Sequence, residues 1–248
     1  MTSAKVFALV SACGGSGRST VAANLAGMIA RRGREVLAVD LDPRNALVLH
    51  LGLPLAETDG WAARALRAEN WTDAAFRNSD GVRILPFGRL GLDDISALED
   101  RLSGDRGWLR QRLAEISLAP GAVVLIDTPR LPSQLARQAI EAAQLVVNVM
   151  HADTASYAGL GLVREAAGGR SLVHVANQVE ATHALQGDVL QLLRHDLEGR
   201  MAPPVHRDLA VPESVAVNVG LAEHAPHSQA THDFQGLASW LLELGGGA

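Results

Sequence analysis

The chain has 248 residues, a single cysteine, and 22 lysine and arginine residues against 27 aspartate and glutamate residues, giving a net charge of −5 at pH 7. This length suits one large α/β domain, and one cysteine excludes an internal disulfide or a within-chain cysteine cluster for zinc or iron–sulfur. The mildly acidic balance argues against nucleic acid as a partner, and no stretch reaches the ~20 apolar residues that span a bilayer. The chain enters its first strand without a secretory leader, so the sequence predicts a cytoplasmic location.

The first predicted unit is a strand, a glycine-rich turn and a helix. An apolar run at residues 6–10 leads into the stretch Ser-Ala-Cys-Gly-Gly-Ser-Gly-Arg-Ser-Thr at residues 11–20, and a helical segment follows. Closely spaced glycines let successive backbone N–H groups turn toward an anion, and the helix N-terminus adds unpaired donors and partial positive charge. Ser19 lies where a hydroxyl would reach a magnesium ion, and Thr20 where one would reach an α-phosphate. We therefore predict a phosphate-binding loop whose ligand-contacting residues are Gly14, Gly15, Ser16, Gly17, Arg18, Ser19 and Thr20.

The spacing of this loop resembles the deviant motif K-G-G-x-G-K-[ST] of the MinD/ParA family of nucleotide-dependent dimers. The resemblance implies ATP and Mg²⁺ as cofactors and a homodimer in the nucleotide-bound state. Two positions depart from the motif, because Arg18 replaces its invariant lysine and Cys13 its signature lysine. Arginine keeps the charge but is longer and planar, and cysteine supplies no charge to a neighbouring subunit's phosphates. We expect nucleotide binding with weak or no hydrolysis, in which Arg18 would offset γ-phosphate charge.

The second predicted strand covers residues 35–40 and ends in Asp40-Leu-Asp42-Pro43. Carboxylates at the end of a parallel strand lie at the same edge of the sheet as a phosphate-binding loop. The D-x-D-P run resembles the switch I segment of the MinD/ParA family. That resemblance implies that Asp40 orients the attacking water and contributes to the magnesium site, and that Asp42 helps to hold the magnesium shell. Either aspartate can instead cap the following helix.

Residues 44–81 are predicted to form short helices, and residues 82–86 a short strand. The run from Gly60-Trp61 through Asn70-Trp71 to Leu-Pro-Phe-Gly at residues 85–88 resembles the BcsQ family, the MinD/ParA-like proteins of bacterial cellulose-synthase operons. The tryptophans can also be ordinary core residues. The resemblance implies an ATP-binding, dimer-forming regulatory or assembly factor of cellulose synthesis and secretion. Its implied partners are other cytoplasmic cellulose-secretion proteins, which would recruit it to the inner membrane.

Residues 93–119 are predicted to be helical, with interruptions at Gly104 and Gly107. The most apolar run follows at residues 122–126 and predicts a central parallel strand that is buried on both faces. It ends in Asp127-Thr-Pro, which resembles the D-x-P motif of the MinD/ParA family. Asp127 is therefore predicted to contact the magnesium ion through water, with a helix cap as the alternative.

Helices at residues 133–143 and 154–166 alternate with strands at residues 145–149 and 171–176. The last of these strands ends in Asn177, and the resemblance implies that this amide reads the adenine edge; a turn-closing role is the alternative. The segment Pro-Val-His-Arg-Asp at residues 204–208 resembles a family segment that passes over the purine, and Arg207 would stack there.

Strands alternating with helices predict a doubly wound, mostly parallel α/β sheet with helices on both faces, in one domain of residues 1–244. Residues 245–248 form a glycine-rich tail that we expect to fray. A terminal helix at residues 234–244 carries no basic residue and is predicted to pack on its own domain. His224, His227 and His232 lack strict ligand spacing and are expected at a solvated surface.

Two other functions remain open from the sequence. A ParA-like DNA-partitioning or positioning ATPase would need a basic dimer edge, whereas Lys5 is the only lysine. A binding-only pseudo-ATPase scaffold is compatible with Cys13 and Arg18 and with a role in cellulose synthesis.

Overall fold

The computed structural model describes residues 4–53 and 59–244, so the predicted 245–248 tail lies outside the described residues. Seven strands form one sheet: β1 (Lys5–Val10), β2 (Val36–Asp40), β3 (Phe76–Arg77), β4 (Arg83–Leu85), β5 (Val123–Asp127), β6 (Leu145–Met150) and β7 (Ser171–Ala176). Their order across the sheet is β3-β4-β2-β5-β1-β6-β7. Every pairing is parallel except the antiparallel pair β3–β4 at one edge.

The helices of the described residues follow the strands along the chain. They are α1 (Arg18–Ala30), α2 (Leu47–His50), α3 (Trp61–Leu66), α4 (Leu92–Gly104), α5 (Trp108–Ala114), α6 (Gln134–Ala142), α7 (Thr154–Ala158), α8 (Leu160–Ala167), α9 (Ala184–Asp196), α10 (Ala210–Ala216), α11 (Leu221–His224) and α12 (Gln229–Leu244), with a 3₁₀ turn at Trp71–Ala74.

The core lies on both faces of the sheet, as the period of two along each strand requires. On β1, Phe7 and Leu9 pack with α1 and α12 on one face, while Val6 and Ala8 pack with α4, α5 and α6 on the other. All five residues of the central strand β5 are buried. The prediction of a doubly wound, mostly parallel sheet is therefore confirmed, and it brings the ends of β1, β2, β5 and β7 to one edge.

Differences from the sequence prediction are local. The helical stretch at residues 93–119 divides into α4 and α5 around the predicted glycine interruption, and the 154–166 helix divides at Gly159 into α7 and α8. The terminal helix begins five residues earlier than predicted, at Gln229, and buries Phe234, Leu237 and Leu241, while Leu244 is exposed. Within residues 4–53 and 59–244, no helix combines the length and apolar character needed to cross a membrane.

Candidate functional site

The phosphate-binding loop leads directly from β1 into α1. Gly15 and Gly17 have φ angles of +74° and +85°, a left-handed conformation that residues with a Cβ rarely adopt. Gly17 is the N-cap of α1, and no side chain in the described part of the chain caps this helix. The first turn of α1 therefore keeps the uncapped N–H groups that bind anions at helix N-termini. The Oγ of Ser16 is buried with no hydrogen-bond partner among the described residues.

Asn177, which follows β7, contacts the loop from the other side. Its Nδ2 donates to the carbonyl oxygen of Ser16 at 2.8 Å, and the residue is 3% exposed. A Cβ on Gly17 would lie only 2.3 Å from this Nδ2, so the close approach requires glycine. The structure thus brings Asn177 to the loop, as the sequence predicted, but its amide is engaged with backbone in this conformation.

The side chain of Arg18 is buried against protein backbone. Its Nε donates to the carbonyl oxygen of Thr128 at 2.9 Å, and its Nη1 donates to that of Cys13 at 3.2 Å. Its Nη2 lies 4.0 Å from an oxygen of Asp42. Burial lowers the pKa of Arg18, and the negative charges of Asp127 and Asp42 oppose that shift. One guanidinium therefore connects the phosphate-binding loop, the segment after β5 and the segment after β2.

Asp40 and Asp127 lie side by side, because they are register partners at the ends of β2 and β5. Both are fully buried. The carboxylate of Asp40 accepts backbone N–H groups of Asp42 at 2.8 Å and Leu47 at 3.0 Å, so it also caps α2. Burial and the charge of Asp127 raise the pKa of Asp40 well above its usual range, although these two N–H groups lower it.

The carboxylate of Asp127, in contrast to that of Asp40, accepts no N–H group from the described residues. Neither carboxylate oxygen has a hydrogen-bond partner among the described residues. Burial raises the pKa of Asp127 to about 6. Two neighbouring groups oppose this shift and lower the pKa: the Ser19 hydroxyl and the Arg18 guanidinium. The Ser19 hydroxyl interacts with the carboxylate outside hydrogen-bond geometry. A buried carboxylate without donors is costly unless a cation or another donor binds it, so Asp127 is suited to a ligand.

Asp42 is held by a residue that the sequence reading missed. The Nε of Arg44 donates to both oxygens of Asp42 at 3.0 and 3.1 Å, and its Nη2 donates at 2.6 Å. The Arg44 side chain is 64% exposed, whereas that of Asp42 is 4% exposed. This fork pairs both oxygens of the Asp42 carboxylate with one guanidinium.

A cavity of about 280 Å³ opens beside the loop and is lined by Thr20, His50, Asn177, Arg207 and Phe234, among others. Its position beside the helix N-terminus suits the base and sugar of a nucleotide. The Nε2 of His50 lies 3.4 Å from the Thr20 hydroxyl, while its Nδ1 is buried without a partner among the described residues. Arg207 lines the cavity, but its guanidinium donates to Glu180 at 2.7 Å and is 62% exposed.

No group of three or more histidine, cysteine, aspartate or glutamate side chains in the described part of the chain is arranged to hold a metal ion. His224 instead lies 3.8 Å from Glu213. Mg²⁺ is commonly bound by one or two carboxylates together with substrate phosphates and water rather than by an all-protein cage. Asp127 is one buried carboxylate at this edge of the sheet.

Sequence reasoning missed three contacts of this site. Arg44 follows Asp42 by two residues, so its fork was open to prediction from spacing. His50 lies on α2 and reaches Thr20, which no motif indicates. The indole Nε1 of Trp61 donates to the carbonyl oxygen of Asp40 at 2.7 Å, a long-range contact that only the fold reveals.

The glycine-rich loop at the start of α1 and the buried carboxylates at the ends of β2 and β5 define a phosphate-loop NTPase fold of the MinD/ParA type. Solved structures with this fold include cobyrinic acid a,c-diamide synthase from Mycobacterium smegmatis, with a bound ATP analog and magnesium, and the septum site-determining protein MinD from Pyrococcus horikoshii, with Mg-ADP. The first has a TM-score of 0.81 and 22% identity, covering 99% of this chain and 97% of that one. The second has a TM-score of 0.78 and 22% identity, covering 98% of each chain.

The sequence comparison is more specific than the fold. The family model for cellulose biosynthesis protein BcsQ matches residues 4–242, and the chain belongs to this family. The cellulose biosynthesis protein BcsQ of Escherichia coli K12 is 28% identical over 240 residues, which cover 96% of this chain and 94% of the relative.

Proposed function

We propose that this chain is a nucleotide-binding regulatory or assembly factor of bacterial cellulose synthesis and secretion. In this proposal ATP and Mg²⁺ bind at the carboxyl edge of the sheet and hold two copies of the chain together, and hydrolysis is weak or absent. Family membership supports the cellulose role. The observation that supports nucleotide binding is the buried carboxylate of Asp127, which has no hydrogen-bond partner among the described residues, beside a helix α1 that none of those residues caps with a side chain.

The residues of the site fit this ligand. Gly14, Gly15, Ser16 and Gly17 would surround the phosphates with backbone N–H groups, and the first turn of α1 would add its own. Ser19 and Asp127 would hold Mg²⁺ together with phosphate oxygens and water, and Asp40 and Asp42 lie at the same edge to complete its outer shell. When bound, Mg²⁺ would offset the negative charge of the phosphate oxygens.

The remaining predicted residues have supporting roles in this proposal. Thr20 would contact the α-phosphate, and Asn177 would read the base from the cavity that both residues line. Arg207 would stack on the base after leaving Glu180, to which it is paired in this conformation.

Slow turnover is supported by the contacts of Arg18. Its guanidinium donates to the carbonyl oxygens of Thr128 and Cys13, so contact with a γ-phosphate requires that these bonds be exchanged. In hydrolysing phosphate-loop proteins the equivalent lysine acts as a compact point charge on the phosphates. Asp40 would orient the attacking water, yet both of its carboxylate oxygens already accept backbone N–H groups. A scaffold that binds ATP and hydrolyses it slowly accounts for both arrangements.

The partners in this proposal are a second copy of the chain and other proteins of the cellulose-secretion apparatus, which would recruit it to the inner membrane. A cytoplasmic location follows from that role. Nucleic acid has no part in it, because the charge balance of the chain is acidic.

The proposal is tested by measuring molar mass with light scattering after size exclusion, in Mg²⁺ with and without ATP, together with bound nucleotide and phosphate release. We expect ATP to double the mass while phosphate release stays low. Arg18→Ala should weaken nucleotide retention, because it removes positive charge beside the phosphates, whereas Arg67→Ala, which removes an exposed guanidinium paired with Glu69, should not. An unchanged mass and absence of bound nucleotide in the natural chain would refute nucleotide-dependent dimerisation.

A further inference from the structure

The segment at residues 40–47 carries the carboxylate at the end of β2, Asp40, and the one just after it, Asp42, and it ends at the first residue of α2. It leaves the sheet at Asp40, where the ladder of β2 with β5 stops. The peptide group between Asp40 and Leu41 is fixed at both ends. Its N–H donates to the carbonyl oxygen of Asp127 at 2.9 Å, and its carbonyl oxygen accepts the indole Nε1 of Trp61 at 2.7 Å.

Trp61 is itself held by a buried aromatic cluster. Its ring lies 5.3 Å from Phe87, 5.6 Å from Trp108 and 6.5 Å from Trp71, measured between ring centroids. The contacts with Phe87 and Trp71 are edge-to-face, an arrangement that aromatic rings favour. The Trp61 side chain is fully buried, so its N–H has no access to water as an alternative acceptor.

The same cluster reaches the 40–47 segment at a second point. The backbone N–H of Gly88, next to Phe87, donates to the Oδ1 of Asn45 at 3.2 Å, and Asn45 is buried with a φ of +53°. Gly88 is in turn packed against Gly60, where an added Cβ would lie 2.3 Å from the Gly88 nitrogen. The cluster therefore supports the segment at Asp40 and again at Asn45, before α2 begins.

We propose that Trp61 is a positioning residue for Asp40 and Asp42, holding the 40–47 segment in the conformation that presents these carboxylates to the nucleotide site. The Trp61–Asp40 bond fixes the peptide plane from which the Asp40 side chain and the turn to Asp42 proceed. Only the consequence for nucleotide binding rests on the proposed function; the effect on the segment itself does not.

The substitution that tests this role is Trp61→Phe, which removes the N–H and keeps an aromatic ring in the cluster. Trp71→Phe is the matched control, because among the described residues the Trp71 indole has no hydrogen bond to the 40–47 segment. Hydrogen–deuterium exchange of the full chain without nucleotide gives the direct measurement. The amides of Asp42 and Leu47 report the segment, since both donate to Asp40. The strand Leu145–Met150 serves as an internal reference.

We expect Trp61→Phe to accelerate exchange of the Asp42 and Leu47 amides roughly tenfold relative to Leu145–Met150, the size of effect expected when one buried carbonyl loses its donor. Trp71→Phe should leave the ratio unchanged. An unchanged ratio in Trp61→Phe, an equal increase in Trp71→Phe, or an equal acceleration throughout the chain would overturn the positioning role.

A second measurement separates positioning from general destabilisation. Titration with ATP in excess EDTA reports binding to the loop, whereas titration in MgCl₂ also reports the carboxylates. We expect Trp61→Phe to lose part of the gain in affinity that Mg²⁺ gives the natural chain, because Asp40 and Asp42 contribute to the outer shell of the ion, with little change in EDTA. Equal losses in both buffers would contradict the proposal. If the natural chain binds no ATP, the proposed function fails, while the exchange result still decides whether Trp61 holds the segment.

Discussion

The Nε of Arg18 donates to the carbonyl oxygen of Thr128 at 2.9 Å, joining the phosphate-binding loop to the segment after β5 across 110 residues of sequence. A planar guanidinium can hold this carbonyl and that of Cys13 together, because its donors diverge in a fixed fork. A lysine ammonium is a compact charge and cannot reproduce both contacts in the same geometry. Arginine at this position therefore stabilises the conformation described above as well as carrying positive charge.

Replacing Arg18 by lysine should lower the stability of the free protein and increase its affinity for nucleotide. We expect Arg18→Lys to release the Thr128 and Cys13 carbonyls and to lower stability without ligand by about 1–2 kcal/mol, measured by denaturant unfolding. The freed ammonium should bind phosphates more readily, so ATP affinity and phosphate release should both rise, by about tenfold if one charge-assisted contact is gained.

The control for that substitution is Arg67→Lys, at an exposed arginine paired with Glu69. It should change neither stability nor nucleotide affinity, because exposed ion pairs contribute little. Weaker ATP binding by Arg18→Lys than by the natural chain would show that the guanidinium itself is the phosphate contact.

Neutralising Asp127 should stabilise the protein while removing its response to Mg²⁺. The carboxylate has no hydrogen-bond partner among the described residues, and burial raises its pKa to about 6. Each unit of raised pKa corresponds to ~1.4 kcal/mol, so Asp127→Asn should raise the free energy of unfolding at pH 7 by about 2–3 kcal/mol. The same variant should lose the added stability that ATP with Mg²⁺ gives the natural chain.

The difference in stability between Asp127→Asn and the natural chain should depend on pH with a definite sign. A folded-state pKa above the unfolded value makes the folded chain bind the proton more tightly, so this contribution is complete below about pH 4 and is lost as pH rises through about 6. The stability gap between Asp127→Asn and the natural chain should therefore shrink from pH 7 to pH 4. Asp40 changes the gap in the same direction, because the charge of Asp127 helps to raise the pKa of Asp40 and this contribution is lost in Asp127→Asn. A constant gap would contradict this account.

Asp42→Asn is the matched control for Asp127. Its carboxylate accepts the Arg44 fork, so neutralising it should lower stability by up to about 1 kcal/mol, a small value because Arg44 is largely exposed. The two substitutions remove the same charge from the same edge of the sheet, and opposite signs are expected. An increase in stability in both variants would indicate general charge repulsion at this edge of the sheet.

Much of the site could be predicted from the sequence because parallel strands end at one edge. The run at residues 36–40 and the run at residues 123–127 each finish in aspartate, and the register places Asp40 beside Asp127. The glycine-rich turn predicts the start of α1 for the same reason, since backbone conformation there depends on residues adjacent in sequence. These features follow from local pattern and strand direction alone.

Other parts of the site could not be predicted because they depend on long-range side-chain placement. The tryptophan of α3 was readable as a core residue, but its bond to Asp40 depends on where α3 packs. The orientation of the Arg18 side chain depends on carbonyl groups from two distant loops. The pairing of Arg207 with Glu180 depends on the rotamer that the Arg207 side chain adopts. Sequence spacing carries no information on these choices.

Substituting two glycines of the phosphate-binding loop by alanine should affect stability differently, because their surroundings differ. Gly17 has a φ of +85°, and a Cβ there would meet Asn177 at 2.3 Å, whereas a Cβ on Gly14 would meet no atom of the described residues within 4 Å. We expect Gly17→Ala to lower the free energy of unfolding by about 2–4 kcal/mol, from left-handed strain and the clash together. Gly14→Ala should remain within about 0.5 kcal/mol of the natural chain.

Denaturant unfolding of both variants measures this difference. Equal destabilisation by Gly14→Ala and Gly17→Ala would mean that the loop, rather than the Asn177 contact, sets the requirement for glycine. Combining Gly17→Ala with Asn177→Ala should recover the part of the loss that comes from the clash, while the part due to left-handed strain remains.

Cys13 provides a reporter for the site because it is the chain's only cysteine. It lies half-buried in the phosphate-binding loop, where its carbonyl oxygen accepts the Nη1 of Arg18 at 3.2 Å. We expect ATP with Mg²⁺ to slow its modification by N-ethylmaleimide several-fold, because in the proposed complex the ligand would cover the loop and a second copy of the chain would close over it. Mass spectrometry of the intact chain measures the rate, and Cys13→Ser should show no modification.

Measurements at several protein concentrations distinguish protection of Cys13 by the ligand from protection by a second copy of the chain. Cover by ligand within one chain gives the same protection at every protein concentration, whereas cover by a second copy increases with concentration because association follows mass action. We expect the second behaviour in ATP with Mg²⁺ and no concentration dependence without nucleotide. Protection that is independent of concentration would place the ligand at Cys13 but contradict a nucleotide-dependent dimer, and unchanged modification would contradict binding at the loop.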